Sequence, residues 1–204
     1  DHRDLHSFPT LRSSDLEPNT ADSTAVSREL ALERLQVRRI EAELSGRSLQ
    51  REPADEADLF AQVEAQRVSH RQSFLDSIAR ETAGLQRASR ELDAAREVLK
   101  KLESTLPSYQ KSADAYEKLA GQKLVGTLQA DERRREAMEK AQDLEAQRAT
   151  ASSLESTIAE FDQRLLQIRS TYSSDLNQQR LQSVAAINRL QQQLGPVLDR
   201  KSVV

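Results

Sequence analysis

His70 is the first residue to weigh for chemistry, because histidine titrates near neutral pH and ligates metals. The other two histidines, His2 and His6, stand at the extreme N-terminus, and the chain has no cysteine. A metal site needs several convergent ligands, so His70 reads as an exposed or seam-edge side chain and not as a ligand or general base. Acidic pairs are plentiful, but carboxylates on a solvated helix lack the desolvation that tunes a pKa for acid–base work. There is no glycine-rich phosphate loop, no G-x-S-x-G and no Ser/His/Asp set. Arg133-Arg134-Arg135 is the densest basic cluster. Asp131, Glu132, Glu136 and Glu139 flank it, which predicts i,i+3 and i,i+4 pairing on a solvated face. The glutamine-rich run from Gln178 to Gln193 reads as neutral polar helix surface. The expectation is a non-enzyme with no catalytic residue, no cofactor and no metal.

The elements that carry these residues are set by composition. Of 204 residues, 31% are charged, 37% hydrophobic and only 3% aromatic, with five Gly and five Pro. Globular domains sit nearer 45–50% apolar, so a conventional core for a chain of this size is excluded. Ala, Leu, Glu, Arg and Gln in abundance are the composition of long helices and coiled coils. The lack of cysteine excludes disulfide and zinc-ribbon scaffolds. No apolar run reaches the roughly 18 residues needed to span a bilayer. A net charge of -3 supplies no basic field, so neither nucleic acid nor a small-molecule substrate is expected.

Both ends stand apart. Residues 1–16 resemble the translation of a common short-read sequencing adapter, and 199–204 resemble the same adapter read on the opposite strand. They are set aside from fold reasoning.

Three helical stretches remain. The first covers 17–46, with Asn19 or Thr20 as its cap, Gly46 as a left-handed C-terminal residue, and an apolar stripe of Val26, Leu30, Val37, Ile40 and Leu44. Residues 47–56, with Pro53, read as a loop, and Asp55 or Asp58 opens the second helix. From Leu85 the apolar positions 85, 88, 92, 95, 99, 102 and 106 alternate steps of three and four, the repeat of a left-handed coiled-coil seam. Pro107 predicts a kink or short break. Gly121 to Gly126 reads as a turn between antiparallel helices, with Thr127 capping the third. That helix carries a second seam at Ala151, Leu154, Ile158, Phe161, Leu165, Ile168 and Tyr172, and Gly195-Pro196 ends it at Leu194.

The segments 57–120 and 127–194 are matched in length, each about 100 Å as a helix. Together they predict an all-α fold: a long antiparallel coiled-coil hairpin spanning 57–194, turning at 121–126, with a shorter helix at its base. Leu119, Leu124 and Val125 fall at the turn, where a thin hairpin has little to bury them. Exposed apolar groups at such a place mark a docking point. The competing reading is that they close the hairpin against Tyr116 and Leu128.

Several stretches resemble the HlyD-like periplasmic adaptors, the membrane fusion proteins of type I secretion systems. They are Val37-Arg38-Arg39-Ile40-Glu41-Ala42-Glu43-Leu44, Leu102-Glu103-Ser104-Thr105-Leu106-Pro107, Tyr116-Glu117-Lys118-Leu119 leading into Leu124-Val125-Gly126, and Asp143-Leu144-Glu145-Ala146-Gln147-Arg148. Glu17-Pro18-Asn19-Thr20 looks like the exit from that family's first half-lipoyl strand, and 195–198 would lead toward the second half. The resemblance implies a homo-oligomer of adaptor subunits linking an inner-membrane ABC transporter to a TolC-like outer-membrane channel. It implies a periplasmic location, with a membrane anchor outside this stretch. Partner contact would then fall on Leu119, Gly121, Gln122, Leu124, Val125, Gly126 and Thr127. Related adaptors carry Arg, three residues, Leu, six residues, Ser at the tip. Leu119 matches the Leu, while Ala115 replaces the Arg and Gly126, next to Thr127, replaces the Ser. The alternatives are a structural coiled-coil segment of a cytoskeletal, chromosome-associated or phage protein, or a hairpin carried by a larger enzyme.

Overall fold

The computed structural model describes residues 17–199; the adapter-like stretches lie outside them, apart from Asp199. Three helices follow one another: α1 (Glu17–Leu44), α2 (Ala57–Gly121) and α3 (Thr127–Asp199). No strand occurs among the described residues. The chain divides into two compact units, one formed by the residues up to Phe74 with those from Ser170 onward, the other by Leu75–Arg169.

In the first unit, α1 packs with the start of α2 and the end of α3. Gln36 donates to Gln66 at 2.9 Å and Arg28 pairs with Asp58, so α1 and α2 run parallel. Arg39 meets Gln179 and Glu43 meets Tyr172, so α3 runs antiparallel to α1. A parallel pair needs a return connection, and residues 45–56 supply it by running back along α1. Arg38 anchors that return: it donates to both oxygens of Asp55 and to the Gln50 carbonyl at 2.6 Å, and it pairs with Glu52. Leu49 from the same loop is buried with Leu35, Leu59 and Val63.

In the second unit the two seams meet as the spacing predicts. Leu92 and Ala95 pack against Ala151, with Leu99, Leu154 and Ile158 around them. Arg96–Glu155 and Arg148–Glu103 bridge the pair antiparallel. The alanines hold the helices close, and Gly84 lies so near the Phe161 ring that a methyl there would collide with it.

Several local expectations are corrected. The first helix begins at Glu17, ahead of the expected caps Asn19 and Thr20; Pro18 suits a first turn because its missing N–H would have no partner there. Leu44 is exposed, since α1 faces two neighbours and its last turn buries Arg39, Ile40 and Glu43 instead. Neither Asp55 nor Asp58 opens α2: the Glu56 carbonyl accepts the first helical bond, from Phe60, while Asp55 accepts from the Glu52 N–H. The helix runs through Pro107 without a break. One lost bond in 65 residues does not undo a helix already propagated on both sides. The third helix also continues past Gly195-Pro196 to Asp199, a single missing N–H bond being a small loss to a helix of 73 residues. Gly46 does take the left-handed conformation, with φ 69°, and Arg47 N–H reaches back to the Ala42 carbonyl at 2.8 Å.

Candidate docking site at the helix turn

The connection from α2 to α3 is built by one capping motif. Lys123 N–H donates to the Ala120 carbonyl and Leu124 N–H to the Leu119 carbonyl, both at 2.9 Å. This is the hydrogen-bond pair that ends a helix with one left-handed residue. That residue is Lys123, with φ 60°, and not either neighbouring glycine. Gly121 closes α2, and Gly126 supplies the carbonyl that accepts the first bond of α3 from Gln129. Thr127, expected as the cap, is the first helical residue. A Cβ on Gly121 or Gly126 would meet nothing within 4 Å, so neither glycine is there to make room.

Around this motif the predicted residues come together on a single turn. Leu124 and Leu128 are each 68% exposed. Gly121, Gln122, Gly126 and Thr127 are also exposed, while Leu119 and Val125 are half-buried. Leu128 is thus mostly exposed, while Leu119, Val125 and Tyr116 are half-buried. Below the turn, Arg133 lies 5.4 Å from the centre of the Tyr116 ring and pairs with Glu136 at 2.9 Å. One arginine of the basic cluster is therefore committed to the predicted i,i+3 pairing.

A second polar assembly, in the first unit, has a sequence signal too thin to find. Arg39 and Glu43 are buried and paired at 2.5 Å. The other Glu43 oxygen accepts from the Tyr172 hydroxyl at 2.6 Å and contacts His70 Nδ1 at 2.9 Å. Arg39 also donates to Gln36 and Gln179. His70 stacks on Tyr172, which stacks on Phe74 with ring centres 4.1 Å apart. Burial, the hydrogen bond to Glu43 and that carboxylate's charge together push the Tyr172 phenol well above its ordinary value of 10.0. The Asp55 carboxyl is shifted the other way. Its burial works against the charge, but the Arg38 hydrogen bonds, the Glu52 N–H and the charges of Arg38 and Arg51 outweigh it. The Glu43 group is structural in kind: Arg39, Tyr172 and the glutamines hold one another, while Gln36, Arg39 and Gln179 also border an open surface pocket with Gln66 and Gln182. His70 thus sits at a seam edge. No cluster of three potential metal ligands occurs among the described residues.

No protein family matches the chain, and no curated protein matches it by sequence. The fold does have a likeness among solved structures, in the adaptor class of secretion machinery. The soluble domain of LipC, a membrane fusion protein of a type I secretion system, superposes with a TM-score of 0.78 at 16% identity. The match covers 87% of this chain and 70% of that one. At that identity the likeness establishes a shared fold.

Proposed function

We propose that the chain is the helical hairpin segment of a periplasmic adaptor for type I protein secretion, and that it acts by docking and not by catalysis. Its turn would meet a TolC-like outer-membrane channel, and copies of the chain would assemble side by side above an inner-membrane ABC transporter. No described helix is long and apolar enough to cross a membrane, so the anchor in this reading belongs to another part of the adaptor. The likeness to the LipC soluble domain supports the reading at the level of fold. The observation that carries the docking role is the exposed pair Leu124 and Leu128 on a turn held rigid by its capping bonds. Two large apolar side chains left mostly in water there stabilise the chain little, whereas covering the rest of each against a partner contributes about 1–2 kcal/mol.

Leu124→Asp in the full-length adaptor tests this. An exposed side chain contributes little to folding, so helical content by circular dichroism is expected to stay unchanged while secretion is lost. Normal secretion by a stably produced Leu124→Asp adaptor would contradict docking through the turn.

A further inference from the structure

This inference rests on the docking reading and concerns what the partner presents to the turn. From Lys118 to Ala130 the only charged residues are two lysines, Lys118 and Lys123. Both are exposed. Three cations further along α3 are engaged within the chain: Arg133 holds Glu136, Lys140 holds Asp143 at 2.9 Å, and Arg148 holds Glu103 and Glu145. The Lys123 ammonium makes no ion pair or hydrogen bond among the described residues.

The backbone adds a second observation. Lys123 is the one non-glycine residue at positive φ among the described residues, at the single position of the turn where glycine would be unstrained. Hydrogen bonds from its own N–H and from that of Leu124 fix the peptide planes on either side. The Cα–Cβ bond therefore leaves the turn in one direction, and the charge is carried on a backbone held by two capping bonds. A strained residue held by its surroundings is a signature of a functional position, and here the strained residue is an unpaired cation next in sequence to the exposed Leu124.

We infer that the partner's contact surface combines acidic side chains with an apolar patch: carboxylates are received by Lys123 and Lys118, and the patch by Leu124 and Leu128. Apolar flanks exclude water from the ion pairs, which strengthens them and selects partners by charge.

The test uses the full-length adaptor in cells that secrete through it. Carbodiimide joins an amine to a carboxylate in direct contact, so treatment is expected to yield an adduct mapping from Lys123 to an Asp or Glu of an outer-membrane protein. Lys123→Arg should abolish the adduct yet keep secretion, whereas Lys123→Glu should lower secretion about tenfold or more. Lys123→Gly separates charge from strain: it should melt higher than the wild type and secrete less. If Leu124→Asp stops secretion but Lys123→Gly and Lys123→Glu secrete normally and no adduct forms, docking stands and this inference is overturned. An adduct from Lys123 to another copy of the chain overturns it as well. If Leu124→Asp also secretes normally, the docking reading fails and the inference falls with it.

Discussion

Lys123 occupies a conformation that glycine would adopt without strain, and two glycines stand within three residues of it. Relieving the left-handed backbone by Lys123→Gly should stabilise the chain by about 1 kcal/mol, since an L side chain there costs roughly 1–2. For a chain of this size that is a rise of about 2–4 °C in melting temperature, measurable by thermal circular dichroism. Composition located the turn but not its left-handed residue, because glycine spacing reports where a chain can bend and not which peptide the capping bonds select. Tyr172 gives a second prediction at this scale. Its phenol is raised above 10.0 by burial and by the Glu43 hydrogen bond, so the protonated form is the one the fold favours. The stability it contributes is fully present below pH 10 and is lost as pH rises through and beyond that value. Melting temperatures followed into alkali should therefore fall less steeply for Tyr172→Phe than for the wild type; parallel curves would contradict the assignment. Tyr172 was read correctly as a seam residue, but the carboxylate that receives its hydroxyl lies 129 positions away, on a helix whose path the sequence left open.

At the scale of elements, the seams were readable and the path of the first helix was not. The steps of three and four that carry Leu92, Ala95, Ala151 and Leu154 into contact follow from helix geometry alone, so the hairpin pairing could be read directly. The path of α1 depends on a loop that doubles back, and no periodicity encodes that. What holds α1 parallel to α2 is particular: Arg38 gathering residues 50–55, Leu49 plugging the core, and the buried Arg39–Glu43 pair reaching α2 and α3. Charged residues on a helix usually face water, which is why Arg39 and Glu43 were passed over in favour of Leu44. The prediction at this scale concerns that pair. Glu43→Leu leaves the Arg39 guanidinium buried without its carboxylate and should cost about 3–5 kcal/mol. Arg39→Met combined with Glu43→Leu removes both charges and should cost far less. Urea denaturation of the single and double variants decides it: a double variant as unstable as Glu43→Leu would show that the pair does not act as a unit. Pro107 makes the converse point, since a rule that holds for short helices predicted a break where a long packed helix tolerates one missing bond.

For the molecule as a whole, the fold is shared with the soluble domain of LipC at a TM-score of 0.78, although only 16% of aligned residues are identical. Heptad composition is common to many coiled coils, so the stretches that resemble secretion adaptors weigh less than this likeness of fold. The two polar features divide the work. The Glu43 assembly is buried, paired and structural, whereas the turn is exposed, strained and unpaired. The turn combines exposed leucines with an exposed lysine, and on it rests the claim that this chain works by docking. These 204 residues contain no cysteine, so a cysteine introduced among them is unique within this stretch. The most direct measurement places one at Thr127 and, in a separate variant, one at Gln178, both exposed positions, in the full-length adaptor. Each is labelled with a photoactivatable crosslinker in secreting cells. The account predicts an adduct with the outer-membrane channel from Thr127 and none from Gln178. Active secretion with no channel adduct from Thr127, or with equal adducts from both positions, would contradict it.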